Sequence, residues 1–131
     1  MTERTRSWQP VTLRGTATPK GAYSPAIRAG DLVFVSGQVP RDPATGELLG
    51  SDVASQTRGA LERLRLVLAE AGAMLEDVVS ITAYLQDIGD WGAFNEAYRD
   101  AMPSPYPTRT TVGADLGGVL VEISAIAHVR R

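Results

Sequence analysis

Apolar and polar positions along this chain alternate between two periods. Val53, Ala54, Leu61, Leu64, Leu68 and Ala71 recur at helical spacing, with Arg58, Glu62, Arg63 and Arg65 off the stripe. The pattern predicts a helix that Ser51 or Asp52 caps and that Gly72 closes just beyond its last turn. A second helix is predicted after Asp90, with Trp91, Phe94, Tyr98 and Met102 turned inward. Pro103, Pro105 and Pro107 forbid its continuation. Elsewhere the period is two. Val79, Ile81, Ala83 and Leu85 face one way, and Ser80, Thr82, Tyr84 and Gln86 the other. In the last segment Val119, Val121, Ile123, Ala125, Ala127 and Val129 share a face, while Leu120, Glu122, Ser124, Ile126 and His128 share its opposite.

The remaining elements follow from turn residues. Ala26 to Arg28 and Leu32 to Ser36 read as a hairpin around Gly30-Asp31, with Pro25 marking the first of them as an edge or irregular strand. Residues 11–15 read as a short first strand, and residues 1–8 as a flexible arm. Two strands finish the chain, joined through a tight turn at 114–118. The order β, β, β, α, β, α, β, β describes an α+β unit, expected as one domain over residues 1–131.

That order raises a packing problem. Two helices cover only one face of such a sheet, yet the other face carries Leu120, Ile126 and Tyr84. The expected solution is burial of those faces between copies of the chain. Glu122, Ser124 and Thr82 would then lie at or near a boundary between copies.

Composition narrows the chemistry. Hydrophobic residues make up 44% and charged residues 21%, with a net charge of −2, so neither nucleic acid nor an anionic membrane is an expected partner. The N-terminal segment lacks an apolar signal core and no run is long enough to span a bilayer, so a cytoplasmic protein is expected. The absence of Cys excludes disulfides and thiolate chemistry, and a single His, His128, argues against a His-based metal site. All basic residues except Lys20 are Arg, so carboxylates would be met by planar forks. Two charged residues stand out. Arg109 sits at the mouth of a strand, and Glu122 interrupts an otherwise apolar one. A surface arginine and a core-edge glutamate are the plain alternatives, and the residues alone leave them open.

Five segments together resemble the YjgF/RidA family of enamine/imine deaminases: GAYSP (21–25), VFVSGQVPRDPATGEL (33–48), FNEAY (94–98), YPTRTTV (106–112) and VEISAIA (121–127). The resemblance runs from about Pro19 to the C-terminus. It implies a chorismate-mutase-like fold, a mixed sheet of about six strands with two helices on one face, and a homotrimer around a barrel-like core with sites between subunits. It implies that Arg109 grips a substrate carboxylate, that Glu122 serves the hydrolytic water as base or anchor, and that Tyr23, Ser36 and Asn95 line the pocket. No metal and no cofactor are implied. The chain departs from the family pattern at Ala22, where a proline commonly precedes the tyrosine, and at Thr111, where many members have Cys.

The implied reaction is hydrolysis of reactive 2-imino acids, such as those derived from 2-aminoacrylate, to 2-oxo acids and ammonia. Positioning and one proton-transfer partner suffice for it. One alternative is a non-catalytic, small-carboxylate-binding regulatory trimer, which would not need Glu122. Another is a pathway-specific deaminase of the same family with a larger substrate. Ribonuclease action, attributed to some relatives, is disfavoured by the acidic balance and the lack of a basic, aromatic-studded face.

Overall fold

In the computed structural model, which describes residues 5–14 and 19–130, Asp52 rather than Ser51 caps the longer helix, α1 (Val53–Glu70). The Asp52 carboxylate accepts from the Ser55 backbone N–H at 2.8 Å, and the Asp52 N–H donates to the Ser55 hydroxyl at 3.2 Å. Each end of this exchange satisfies a donor that helix geometry leaves unpaired. Gly72 follows the last turn at φ 77, a backbone angle that costs glycine nothing. The N–H groups of Gly72 and Ala73 close the end on the carbonyls of Ala69 and Leu68. The second helix is α2 (Trp91–Ala101), and it stops before Pro103 as expected.

Among the described residues there are six strands: β1 (Gln9–Pro10), β2 (Ala26–Ala29), β3 (Leu32–Gln38), β4 (Val78–Leu85), β5 (Thr108–Gly113) and β6 (Val121–His128). They form one mixed sheet in the order β1-β2-β3-β6-β4-β5. Every adjacent pair is antiparallel except β4 and β5, which run parallel and are joined by α2. A parallel pair needs such a crossover because a tight turn cannot join parallel strands. Helix α1 packs on β3, β6 and α2, so both helices cover one face. Leu61, Leu64, Leu68 and Phe94 are fully buried there against Val33, Ile81, Leu85 and Ile123. Each such side chain stabilises the fold by about 1.5–3 kcal/mol.

The open face carries the partly covered Tyr84 and Ile126, as the pattern required, together with Phe34, which is 40% exposed, whereas Leu120, expected on the same face, precedes β6 and packs against the core. Phe34 and Ile126 pair across β3 and β6, with Ser80, Thr82 and Ser124 beside them in a shallow concavity.

Three expectations are corrected. The first strand is Gln9–Pro10, not residues 11–15, of which Gly15 lies outside the described residues. Pro10 suits an edge strand because it has no N–H to offer a ladder. Val11 donates one last bond to the Ala26 carbonyl, after which Val11 and Leu13 pack against the core without strand pairing. Val79 is 47% exposed, because the register between β4 and β6 slips at Val78/Ser80 and Val78 takes the inward place. Trp91 is 45% exposed rather than core, since the first turn of α2 overhangs the edge strand β5. Of the expected arm over residues 1–8, residues 1–4 lie outside the described residues, and Arg6 stacks on the Trp8 ring.

Candidate functional site

Arg109 is the second residue of β5 and pairs with Ile81 of β4. Ile81 is buried under the helices, so Arg109 points to the helix-covered side. There the guanidinium carbon lies 4.7 Å from the centre of the Tyr98 ring, 5.3 Å from that of Phe94 and 5.5 Å from that of Trp91. Ring faces attract a cation, by about 0.5–1 kcal/mol each at exposed positions and more where water is excluded. They hold it without occupying its N–H donors. No ion pair engages Arg109: Arg65–Glu62 is the salt bridge found among the described residues. The two parallel donors of the fork therefore remain available for a planar anion.

Asn95, Tyr98, Arg99, Tyr106 and Pro107 line a cavity of about 340 Å³ together with Arg109. The Tyr98 hydroxyl is buried and has no hydrogen-bond partner. Burial pushes the Tyr98 phenol above its ordinary pKa, with the Arg109 charge pulling the other way, so Tyr98 is neutral at pH 7. The hydroxyl of Thr111, two residues beyond Arg109 on the same strand face, is likewise buried and unpartnered.

Glu122 lies elsewhere. It pairs with Tyr84 between the buried Val121 and Ile123, and so projects from the open face. Its side chain packs against Gly37, where β3 bulges between Val35 and Gln38. A Cβ on Gly37 would stand 2.6 Å from the Glu122 carboxylate oxygen and 2.8 Å from its carbon, so only glycine admits the carboxylate in this position. Beside Gly37, the Ser36 hydroxyl donates to the Ser24 carbonyl at 2.6 Å and the Ser36 N–H to the Pro25 carbonyl at 2.9 Å. These bonds fix the segment carrying Tyr23, whose ring is 60% exposed. Buried Gln56 holds the start of β6 by accepting from the Leu120 N–H at 2.7 Å.

The candidate residues thus form two groups within one chain. Arg109 and Asn95 lie together on the helix side. Glu122 and Ser36, with the Tyr23 segment tied to Ser36, lie at the other. Glu122 stands level with Val112 through Tyr84, three residues along from Arg109 and two strands away. Strand spacing and rise give a backbone separation of about 14 Å, with the side chains on opposite faces. Arg109 is therefore not a neighbour of Glu122 within one chain, so no cleft inside a single copy holds both. Sequence reasoning missed the roles of Gly37 and of the three rings around Arg109. The helical spacing of Trp91, Phe94 and Tyr98 was visible, but it spoke only for packing. Among the described residues no cluster of His, Asp and Glu suits a metal ion, and no helix is long and apolar enough to cross a membrane.

The chain as a whole is similar to known proteins. The family model described as Endoribonuclease L-PSP matches residues 15–129. A RutC family protein of Pyrococcus abyssi is 42% identical over 112 residues, covering 84% of this chain and 88% of its own. The 3-aminoacrylate deaminase RutC of Acinetobacter baylyi is 37% identical over 117 residues, covering 88% and 93%. Among solved structures, that of Escherichia coli TdcF with bound serine superposes with a TM-score of 0.82 at 33% identity, covering 94% of this chain and 99% of that one.

Proposed function

The chain belongs to the YjgF/RidA family, and from that premise we propose that it hydrolyses reactive 2-imino acids, such as those arising from 2-aminoacrylate, to 2-oxo acids and ammonia. The observation that carries this reading is the Arg109 fork, immobilised by three rings and left without an anionic partner at the edge of a small cavity. The deaminase activity named for the Acinetobacter relative and the serine bound by TdcF support a small amino-acid-like substrate.

In this reading Arg109 binds both oxygens of the substrate carboxylate, and Asn95 lines the same pocket. Because Arg109 and Glu122 leave opposite faces of one sheet, a complete site takes Arg109 from one copy and Glu122, with Ser36 and Tyr23, from another. Water held by Glu122 attacks the imine carbon, and its proton passes through the carboxylate to the imine nitrogen. The hydroxyl of the resulting carbinolamine then passes its proton through the same carboxylate to the amino nitrogen, the C–N bond breaks as the C=O of the 2-oxo acid forms, and ammonia leaves. No metal and no cofactor enter this sequence. It would operate in the cytoplasm, where pyridoxal-phosphate enzymes release such imines. RNA is not a substrate in this reading, since a chain of net charge −2 offers little to a polyanion.

Three copies in a closed ring would bury the open faces together and create three such sites. Light scattering at micromolar concentration is expected to give three times the 14.0 kDa of one chain. A folded, active monomer would sink the shared-site reading. The activity itself is tested by following 2-oxo acid release from imines generated enzymatically from several amino acids. No acceleration over buffer for any of them defeats the proposal.

Gly37 provides a further check. Gly37→Ala is expected to fold, because the atoms it meets belong to the movable end of the Glu122 side chain. Imine hydrolysis should fall roughly tenfold as the carboxylate is displaced, less than for outright loss of a proton-transfer group. Unchanged rates in a correctly folded Gly37→Ala protein would show that the position of Glu122 is immaterial.

A further inference from the structure

The cavity beside Arg109 contains a second guanidinium. Arg99 follows Asn95 by one turn on the same face of α2, and both line that space with Arg109, Tyr98, Tyr106 and Pro107. No carboxylate lines the cavity. Neither arginine takes part in the salt bridge found among the described residues. The wall carrying Arg99 is fixed, since the Tyr106 hydroxyl donates to the Arg99 backbone carbonyl at 3.2 Å and the Tyr106 ring packs 6.4 Å from that of Tyr98.

Two cations that share a cavity repel each other, and a monocarboxylate relieves only one of them. We infer that the site selects dicarboxylic 2-imino acids, with the α-carboxylate on Arg109 and the side-chain carboxylate on Arg99. The inference rests on the deaminase reading and names its substrate class. The assignment of the two ends follows from mobility. Arg109 is pinned by three rings and suits the group that must hold the imine carbon in register. Arg99 is exposed on the last turn of α2 and can follow side chains of different length. A cavity of about 340 Å³ fits a small diacid, since ligand sites of about 300–1,000 Å³ are usual and this one is near the lower limit.

Arg99 has one simpler role open to it. A cation in the last turn of a helix stabilises the helix through its dipole. That role predicts a lower Tm for Arg99→Ala and no change in ligand preference.

Calorimetry on the full-length protein with 2-oxoglutarate and 2-oxobutanoate separates the cases. The unsubstituted protein is expected to prefer 2-oxoglutarate. Arg99→Ala and Arg99→Gln should weaken 2-oxoglutarate about tenfold, the scale of one exposed charge-assisted contact, and leave 2-oxobutanoate unchanged. Equal affinity for both acids, or an equal loss on both in the Arg99 variants, overturns the inference. If 2-oxobutanoate binds in an Arg109-dependent way without preference for the diacid, only the dicarboxylate selection fails and the deaminase reading stands. If the unsubstituted protein binds neither acid, both fail.

Discussion

An Arg109→Ala variant is expected to bind no measurable 2-oxo acid and to hydrolyse imines no faster than buffer does. Two charge-assisted hydrogen bonds at about 1.5–3 kcal/mol each correspond to a loss of roughly 10²–10⁴-fold in affinity. The same loss should appear in kcat/KM, because an unheld substrate no longer presents its imine carbon. Arg109→Lys separates charge from shape. Its ammonium can still rest on the rings of Tyr98, Phe94 and Trp91, but it offers a point charge in place of a fork. It should recover little of the binding. Circular dichroism on the same preparations distinguishes a lost contact from a lost fold. A folded Arg109→Ala protein with full activity would end the deaminase reading.

Glu122→Gln is expected to retain product binding while losing hydrolysis by roughly 10²-fold or more, the contribution of a positioned proton-transfer group. The amide keeps the size of the side chain against Gly37 and removes only the charge. Binding of a 2-oxo acid should hold or tighten, because anion no longer faces anion. Full activity in this variant would make Glu122 structural and leave the water to backbone groups. The two variants together also test the shared site. Each is expected to be inactive alone, for different reasons. If Arg109 and Glu122 of one site come from different copies, random mixing of the two variants in a trimer should restore about a quarter of the sites. Sites contained within single chains would give no recovery from mixing.

The elements were legible in the sequence because each is dictated by local burial. Leu61, Leu64 and Leu68 had to lie on one stripe, and Val121, Ile123, Ala125 and Ala127 on one strand face, for a core to exist, and both hold in the structure. Cap and stop residues act within a few positions, so Gly72 was also readable, and the cap was narrowed to Ser51 or Asp52, between which the structure chooses Asp52. The apolar second face was visible for the same reason. So were Arg109 and Glu122 as charges in strand positions where burial alone would not put them.

Tertiary structure decided everything that depends on which strands are neighbours and in what register. The run Thr108–Gly113 has no apolar period, and only its parallel pairing with β4, Ile81 against Arg109, assigns Arg109 to the helix side. A one-residue slip at Val78/Ser80 turned Val79 outward, a change the alternation could not announce. The helical spacing that made Trp91 look like core holds, but its first-turn position sets it at the sheet edge, where it faces Arg109. Gly37 and Glu122 are far apart in sequence and meet only because β3 lies beside β6. Local periodicity specifies which residues must be hidden from water. Long-range pairing specifies what each hidden or half-hidden residue meets, and for this chain it alone separates the Arg109 half of the candidate site from the Glu122 half.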